Sequence, residues 1–486
     1  MTHSRSFQAA PSPGLAGMYV VLMLNGLVAA AGLTVIYLML ATLYRQYAGS
    51  TGVGWAVTSY LLVGAICAAL CGRLGDLLGR RFMMLVVLSI SAAGSLLSAT
   101  VPTLAGLVVG CALQGTSSAL MPLSIGLARE TLPEQRVPVA LGVLSCSAMF
   151  GAGVTYLVGG LVVEHYQASG GFVLKIALAV LAFAAVSLLV PRPSQPPSSL
   201  KGVDLLRGVL FAPALALALI CLELRRNWGW GDARIVCGFV AAALLMAYWV
   251  RHQAAQARPL IDVRMLARPR IALTNVAMIF MALGAIQLAQ TLSLLLQQPA
   301  STGVGFGLSP SAMGWVLLPL NALTLVASPL SGWCGQRIGM QRVAALGAFA
   351  CLAAWLLLVP WHASFVQVMT AAVICTVGYA VLQPALYNLI AEASPVERAS
   401  EAAGVSAVCQ GAFMAVGSQL IFGLLAADTA PGSAQSAASY PSEAAFVNAF
   451  TYVAAMSLAC LLVLLALPAR AAVRARPLEA VGETTA

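Results

Sequence analysis

The sequence predicts an all-α polytopic membrane protein, and three observations carry that expectation. Of 486 residues, 60% are hydrophobic and only 8% are charged, where a soluble domain carries about 25% charged residues. The apolar residues fall in blocks of about 20, the length at which a helix crosses the hydrocarbon core of a bilayer. The 25 Lys and Arg residues cluster in alternate connections between those blocks, as the rule that retains positive loops inside demands. Strict alternation at period two is absent, which speaks against an outer-membrane barrel.

The apolar blocks run near 18–43, 52–71, 82–100, 103–127, 138–163, 172–190, 205–222, 233–250, 271–296, 312–331, 343–361, 365–391, 401–426 and 445–468. That predicts fourteen spans. The first block exceeds the apolar core of a signal peptide and is expected to be a retained span. Short connections force neighbouring helices to run antiparallel. An even count puts both termini on one side, and the basic residues say which. Arg45, Lys175, Arg225, Arg226 and Arg234 fall on or near the outer side, and the other twenty fall inside. Moving the topology by one span would invert this bias.

The expected organisation follows from these blocks. Residues 1–17 form a cytoplasmic N-terminus and 18–190 a six-helix bundle. Residues 191–204, which include the stretch PRPSQPPSSL, form a cytoplasmic linker. Two inserted helices occupy 205–250 and a cytoplasmic loop 251–270. A second six-helix bundle covers 271–468, and 469–486 is a cytoplasmic tail. Residues 427–444, rich in Ala, Ser, Pro and Gly, are expected as an outer loop. The net charge of +10 reads as orientation rather than nucleic-acid binding. The 11 cysteines lie in or beside apolar segments. Without paired CxxC motifs they read as small packing residues, with neither a metal nor a disulfide framework expected.

An internal echo marks two loops. Gly72-Arg73-Leu74-Gly75-Asp76-Leu77-Leu78-Gly79-Arg80-Arg81 follows the second span, and Gly332-Trp333-Cys334-Gly335-Gln336-Arg337-Ile338-Gly339 follows the tenth. Glycines recur at the same offsets. Repeated halves around a central site are a common build of secondary transporters.

The run from Gly72 to Arg81 resembles the signature loop of the major facilitator superfamily, G-x-L-x-D-x-x-G-R-R. Three further segments resemble its fourteen-span drug:proton antiporter branch. They are Trp55-Ala56-Val57-Thr58-Ser59-Tyr60-Leu61-Leu62, Arg258-Pro259-Leu260-Ile261-Asp262-Val263-Arg264, and Gly307-Leu308-Ser309-Pro310 with Leu317-Leu318-Pro319. The resemblance implies the major facilitator fold, two six-helix bundles with two inserted helices and 14 transmembrane helices in all. It implies that Asp76, Arg73, Arg80 and Arg81, on the glycines Gly72 and Gly79 and with Glu130 as a partner for Arg80, govern conformational switching. It also exposes departures. Cys111 replaces the buried arginine of the fourth-span motif, of which Gln114 and Gly115 remain. In the fifth span the Gly-Pro pair of the antiporter motif gives way to Thr155-Tyr156. Gly32 stands where the first span usually carries an Asp. Ser147, Gly151, Thr155 and Gly159 form a small-residue stripe, read as a packing surface.

Ionisable groups inside a membrane are pointers to ion pathways, yet all fifteen acids fall at predicted span edges, loops or tails. Edge groups Glu164, Glu223 and His165 are therefore the candidates for proton coupling. Lys175, near the outer start of the sixth span, reads as a snorkelling side chain. The polar midspan residues Asn25, Tyr37, Gln114, Tyr156, Gln287, Gln290, Asn321, Tyr379, Gln383 and Tyr387 are the candidate substrate cavity. Tyr379, Gln383 and Tyr387 share one helix face.

No Walker loop, HExxH or nucleophile elbow is present, so the chain does not read as an enzyme. The expected activity is export of a small amphipathic organic compound, a drug or secondary metabolite, by alternating access, with protons as a possible coupling ion. An uncoupled facilitator or importer of a metabolite, or a transport-inactive relative acting as receptor or scaffold, are the alternatives. The expected partners are a small-molecule substrate and the lipid bilayer, with no cofactor and no nucleic acid. The protein is expected as a monomer in the bacterial inner membrane with both termini cytoplasmic.

Overall fold

In a computed structural model, residues 15–47, 51–191, 210–229, 231–256, 268–394, 399–429 and 440–468 are described. The amino-terminal set comprises α1 (Leu15–Gln46), α2 (Gly54–Leu78), α3 (Arg80–Thr100), α4 (Leu104–Gly115), α5 (Leu120–Thr131) and α6 (Val137–Leu189). A hairpin follows, α7 (Phe211–Trp228) and α8 (Ala233–Ala255). The carboxy-terminal set is α9 (Pro269–Leu283), α10 (Leu288–Gln297), α11 (Pro310–Ile338), α12 (Met340–Leu358), α13 (Phe365–Ala393), α14 (Ala399–Leu425) and α15 (Glu443–Leu465). Among the described residues eleven helices are long and apolar enough to cross a membrane, and Gly54–Ala68 and Pro213–Leu222 are shorter apolar helices. The count of eleven takes α6 once.

The expected connection between the fifth and sixth blocks collapses to one residue. Gln167 alone leaves helical geometry inside α6, at φ 58° and ψ −156°. The chain reverses there, as the neighbours along α1 show. Gly26 abuts Leu144 and Gly151 abuts Leu27, so the first arm runs parallel to α1. Gly171 abuts Met39 and Gly17 abuts Leu189, so the second arm runs back along it. The stripe at Ser147, Gly151 and Gly159 rests on Gly26, Leu27 and Leu38 of α1. On a second face of the same arm, Gly153 and Gly160 meet α11 at Asn321 and Pro310, and Gly314 of α11 lies on the Tyr156 carbonyl. Small residues bring these backbones together where no hydrophobic effect drives helices to associate.

The fourth and ninth blocks each form one candidate span, Leu104–Thr131 and Pro269–Gln297, and each is broken midway. A 3₁₀ segment, Thr116–Ala119, separates α4 from α5, and Gly284 with Ala285–Gln287 separates α9 from α10. Gln287 explains how the second break is tolerated. Its amide donates to Ala282 O, in the last turn of α9, and to Met414 O of α14, each at 2.9 Å, so it takes up a carbonyl that the helix end leaves without an intrahelical partner and ties the break to a neighbouring helix.

The glycine echo is structural as well as sequential. Gly79 joins α2 to α3 at φ 95° and ψ 129°, and Gly339 joins α11 to α12 at φ 90° and ψ 139°. In both turns the glycine N–H donates to the carbonyl four residues back, Gly75 O and Gly335 O, each at 3.0 Å. Positive φ at a sharp helix junction is the conformation that favours glycine. The inserted hairpin sits to one side, where Phe211 and Trp249 pack with Val408 of α14 and Ile66 of α2.

Candidate functional site

The two helix sets meet around a cavity of about 440 Å³. Its walls come from α1 (Ala29, Ala30, Leu33, Thr34, Tyr37), α5 (Met121) and α6 (Ala148, Met149, Ala152, Tyr156) on one side. On the other side they come from Ala285, Ile286, Leu288, Ala289 and Leu292, from α11 (Leu317, Leu320, Asn321, Thr324) and from α13 (Thr376, Tyr379). Among the described residues no charged side chain lines it. The polar groups are hydroxyls and one amide. The Tyr37 hydroxyl is buried without a hydrogen-bond partner. Asn321 spends its amide N–H on Leu317 O of its own helix at 2.9 Å, which turns its carbonyl oxygen free for other use.

Of the ten polar residues expected here, Tyr37, Tyr156, Asn321 and Tyr379 line the cavity. The other six do not, and their partners say why. Asn25 donates to Ser124 Oγ at 3.1 Å inside the amino-terminal set. Gln114 donates to Ser98 Oγ at 3.1 Å and accepts from Lys175. Gln287 bridges the α9–α10 break. Gln290 accepts from Ser418 Oγ at 2.8 Å. The Tyr387 hydroxyl donates to Gln410 Oε1 at 2.8 Å, and Gln383 lies one turn from Tyr379 but outside the cavity wall. Thr34, Thr324 and Thr376 line the wall and were not anticipated. Threonine in apolar helices commonly bonds back to its own turn, as Thr34 does to Ala30 O, so sequence gives no sign that such a side chain faces a cavity.

At the end away from the two glycine turns the sets are clasped. Thr58 donates to Gln419 Oε1 at 2.8 Å. Ser293 donates to Tyr37 O, and Gln297 donates to Leu38 O at 3.2 Å. Tyr44 stacks on Phe422. Glu164 also belongs to this end, where it accepts from Ser309 Oγ at 3.3 Å. His165 is exposed and bonds Leu161 O of its own helix. Neither reaches the cavity, and the Glu223 side chain lies outside the described residues.

At the opposite end Arg80 pairs with Glu130 at 3.4 Å. Gly126 makes room for it, since a Cβ there would strike the Arg80 guanidinium. Arg81 donates to Ser187 O at 2.7 Å and ties α3 to the end of α6. In the carboxy-terminal set Arg270 and Glu392 approach to 4.0 Å. The backbones of Gly72, Arg73 and Asp76 lie in the last turns of α2, while their side chains lie outside the described residues. So does the whole segment Arg258 to Arg264.

Lys175 is the largest departure from the sequence reading. It does not snorkel to an interface. It is buried within the amino-terminal set, donating to Gly32 O at 2.7 Å and to Gln114 Oε1, with its Nζ 5.5 Å from the Tyr60 ring centroid.

Comparison with known proteins places this architecture. The profile of the Major Facilitator Superfamily matches residues 22–418 and again 271–485. An uncharacterised MFS-type transporter of Mycobacterium tuberculosis is 28% identical over 352 residues, 70% of this chain and 49% of the relative. The tetracenomycin C resistance and export protein of Streptomyces glaucescens is 31% identical over 299 residues, 60% of this chain and 53% of the relative. The multidrug resistance protein Stp of Mycobacterium tuberculosis is 25% identical over 398 residues, 80% of this chain and 71% of the relative. The matched region thus spans about half the length of the first of these relatives. Among solved structures, a POT family peptide transporter in an auto-inhibited form superposes with a TM-score of 0.66 at 18% identity, covering 95% of this chain and 98% of that one.

Proposed function

The chain belongs to the major facilitator superfamily, and from that premise we propose that it exports a small, neutral, amphipathic organic compound by alternating access. The observation that carries this reading is the cavity between the two helix sets. At about 440 Å³ it falls in the range of small-molecule sites, roughly 300–1,000 Å³. Its wall is apolar with a few hydroxyls and one amide, and no carboxylate waits for a cation. Relatives named for antibiotic resistance and export support efflux of such a compound.

Counting the two arms of α6 separately and adding the two shorter apolar helices brings the eleven to fourteen passes, the architecture of the drug:proton antiporter branch. With the basic loops inside, both termini are cytoplasmic and the clasped end is external. The conformation is then inward-facing: sealed outside by Thr58–Gln419 and the bonds to α1, with the Gly79 and Gly339 turns on the cytoplasmic side. Asp76, Arg73 and Arg81 act in switching, with the Arg80–Glu130 pair held inside one bundle in this state.

Everted membrane vesicles from an efflux-deficient host test the proposal, with an aromatic polyketide such as tetracenomycin C and an uncharged fluorescent amphiphile as probes. Accumulation above vesicles lacking the protein is expected. Equilibration without accumulation would instead identify a facilitator, and absence of flux for every probe would sink the exporter reading. An Asp76→Asn variant should slow turnover while leaving probe binding intact.

A further inference from the structure

The central cavity holds no charge, but the helix bundle behind it does. We infer that Lys175 is a proton-binding site whose occupancy sets the grip on α1 and thereby the closure of the outer end. This deepens the transporter reading above and rests on it for its consequence, but its test requires no transport.

Lys175 lies on the second arm of α6, with a relative exposure of 6%. Among the described residues its Nζ meets three features and no carboxylate. Gly32 O accepts from it at 2.7 Å and Gln114 Oε1 also accepts. The Tyr60 ring presents its face at 5.5 Å. The orientation of Gln114 is set from behind, because its amide nitrogen donates to Ser98 Oγ at 3.1 Å. Every group around the ammonium is thus an acceptor or a ring face, which suits a protonated amine. Gly32 is required at this place, since a Cβ would strike the Tyr60 hydroxyl, itself bonded to Ser117 Oγ at 3.1 Å.

A buried ammonium without a counter-ion is costly to hold. The part that can leave is its proton, passed to water when a path opens. The titratable groups facing it among the described residues are Tyr60 on α2 and Cys111 on α4; α1 presents the apolar Val28 and Ala31 with Gly32, α3 presents Ser91, and the 3₁₀ segment presents Ser117.

The consequence follows from what Lys175 holds. Gly32 O is a main-chain carbonyl of α1. One to two turns further along the same helix, Tyr37 O and Leu38 O accept from Ser293 and Gln297 of α10. The cavity-facing residues Leu33 and Thr34 lie between these grips, and Tyr37 lies at the second of them. The amino-terminal bundle, through Lys175, and the carboxy-terminal set, through Ser293 and Gln297, therefore hold one rod by its backbone. A protonated Lys175 seats α1 where the outer clasp can form. Loss of the proton weakens the bond to Gly32 O and frees α1 to part from α10. In the inward-facing state the proton would leave toward the cytoplasm, the direction required to exchange an inbound proton for an outbound compound.

Hydrogen-exchange mass spectrometry of the purified full chain in lipid nanodiscs tests this between about pH 6 and about pH 10, with rates corrected for intrinsic exchange. In the wild type, the segments 37–46 and 291–297 should exchange roughly five- to tenfold faster at the higher pH, the low end of coupling between linked sites. Lys175→Gln should exchange fast at both. Lys175→Arg, which keeps the charge and leaves Tyr60 and Cys111 in place, should stay protected at both. A wild type indifferent to pH, or a Lys175→Arg variant that still responds, would overturn the assignment. Should Lys175→Gln fail to fold, the arginine variant alone decides. Failure here leaves the efflux assay unaffected, and absence of efflux leaves this result standing.

Discussion

Asn321 lines the cavity with its carbonyl oxygen facing no partner of its own helix. Its N–H is committed to Leu317 O, so removal of the side chain costs the fold little and costs a hydrogen-bonding cargo one acceptor. Asn321→Ala should raise KM by about three- to tenfold, the worth of one hydrogen bond, while thermal stability stays within about 0.5 kcal/mol. Flux titrations and thermal unfolding in detergent check the two halves of that expectation. At the end that carries the glycine turns the arithmetic differs. Glu130 is 54% exposed in its pair with Arg80, and such a pair is worth about 0–1 kcal/mol. Gly126→Ala would push the flexible Arg80 head aside rather than disrupt backbone. Gly126→Ala and Glu130→Gln should therefore each cost under about 1 kcal/mol, and the double variant no more than either alone. Additive losses in a double-mutant cycle would show that the two residues act separately.

Elements differ in how plainly the sequence announces them. The two glycine turns are the clearest: equal spacing in the sequence becomes equal φ, ψ and hydrogen bonding in the fold. Gly79→Ala and Gly339→Ala should accordingly cost similar amounts, roughly 1 kcal/mol or more each, readable as paired shifts in Tm. Unequal shifts would mean that surroundings outweigh the backbone term. The long rods were legible because bilayer thickness imposes a length on apolar runs. The breaks at Thr116–Ala119 and at Gly284 were not, because they are sustained by distant side chains such as Gln287 reaching Met414 O. The reversal at Gln167 falls in the expected connection between the fifth and sixth blocks, the stretch EHYQASGG; what the sequence did not show is that all of that stretch but one residue stays helical. The site was half legible. Polarity in mid-helix picked out Tyr37, Tyr156, Asn321 and Tyr379, but gives no means to tell a cavity face from a bundle face, and so it also gathered Asn25, Gln114 and Gln290. Lys175 was misplaced because its position near the outer start of the sixth block suggested an interface, whereas the tight reversal at Gln167 carries it directly into the bundle.

At the scale of the molecule, the clasp and the cavity are parts of one equilibrium. Thr58 and Gln419 touch across the two helix sets at 2.8 Å, so they should be close only while the outer end is shut. Cysteines at both positions, joined by a short reducible bis-methanethiosulfonate, should stop transport, and reduction should restore it. Single-cysteine controls separate this from reaction at the exposed Cys146 and Cys237. Transport that persists in the joined protein would show that the sets do not part at this place during turnover.

The one-residue reversal inside α6 also has a practical side. With only Gln167 outside helical geometry, the join offers no spare chain for a protease to seize or a reporter to occupy. Tags, split points and epitope insertions placed there should abolish expression. The segment around Gly303 and Gly307, both at positive φ and with open space beside Gly303, has that spare chain. It is the place to attach a handle when the protein must be tethered, labelled or cut without being lost.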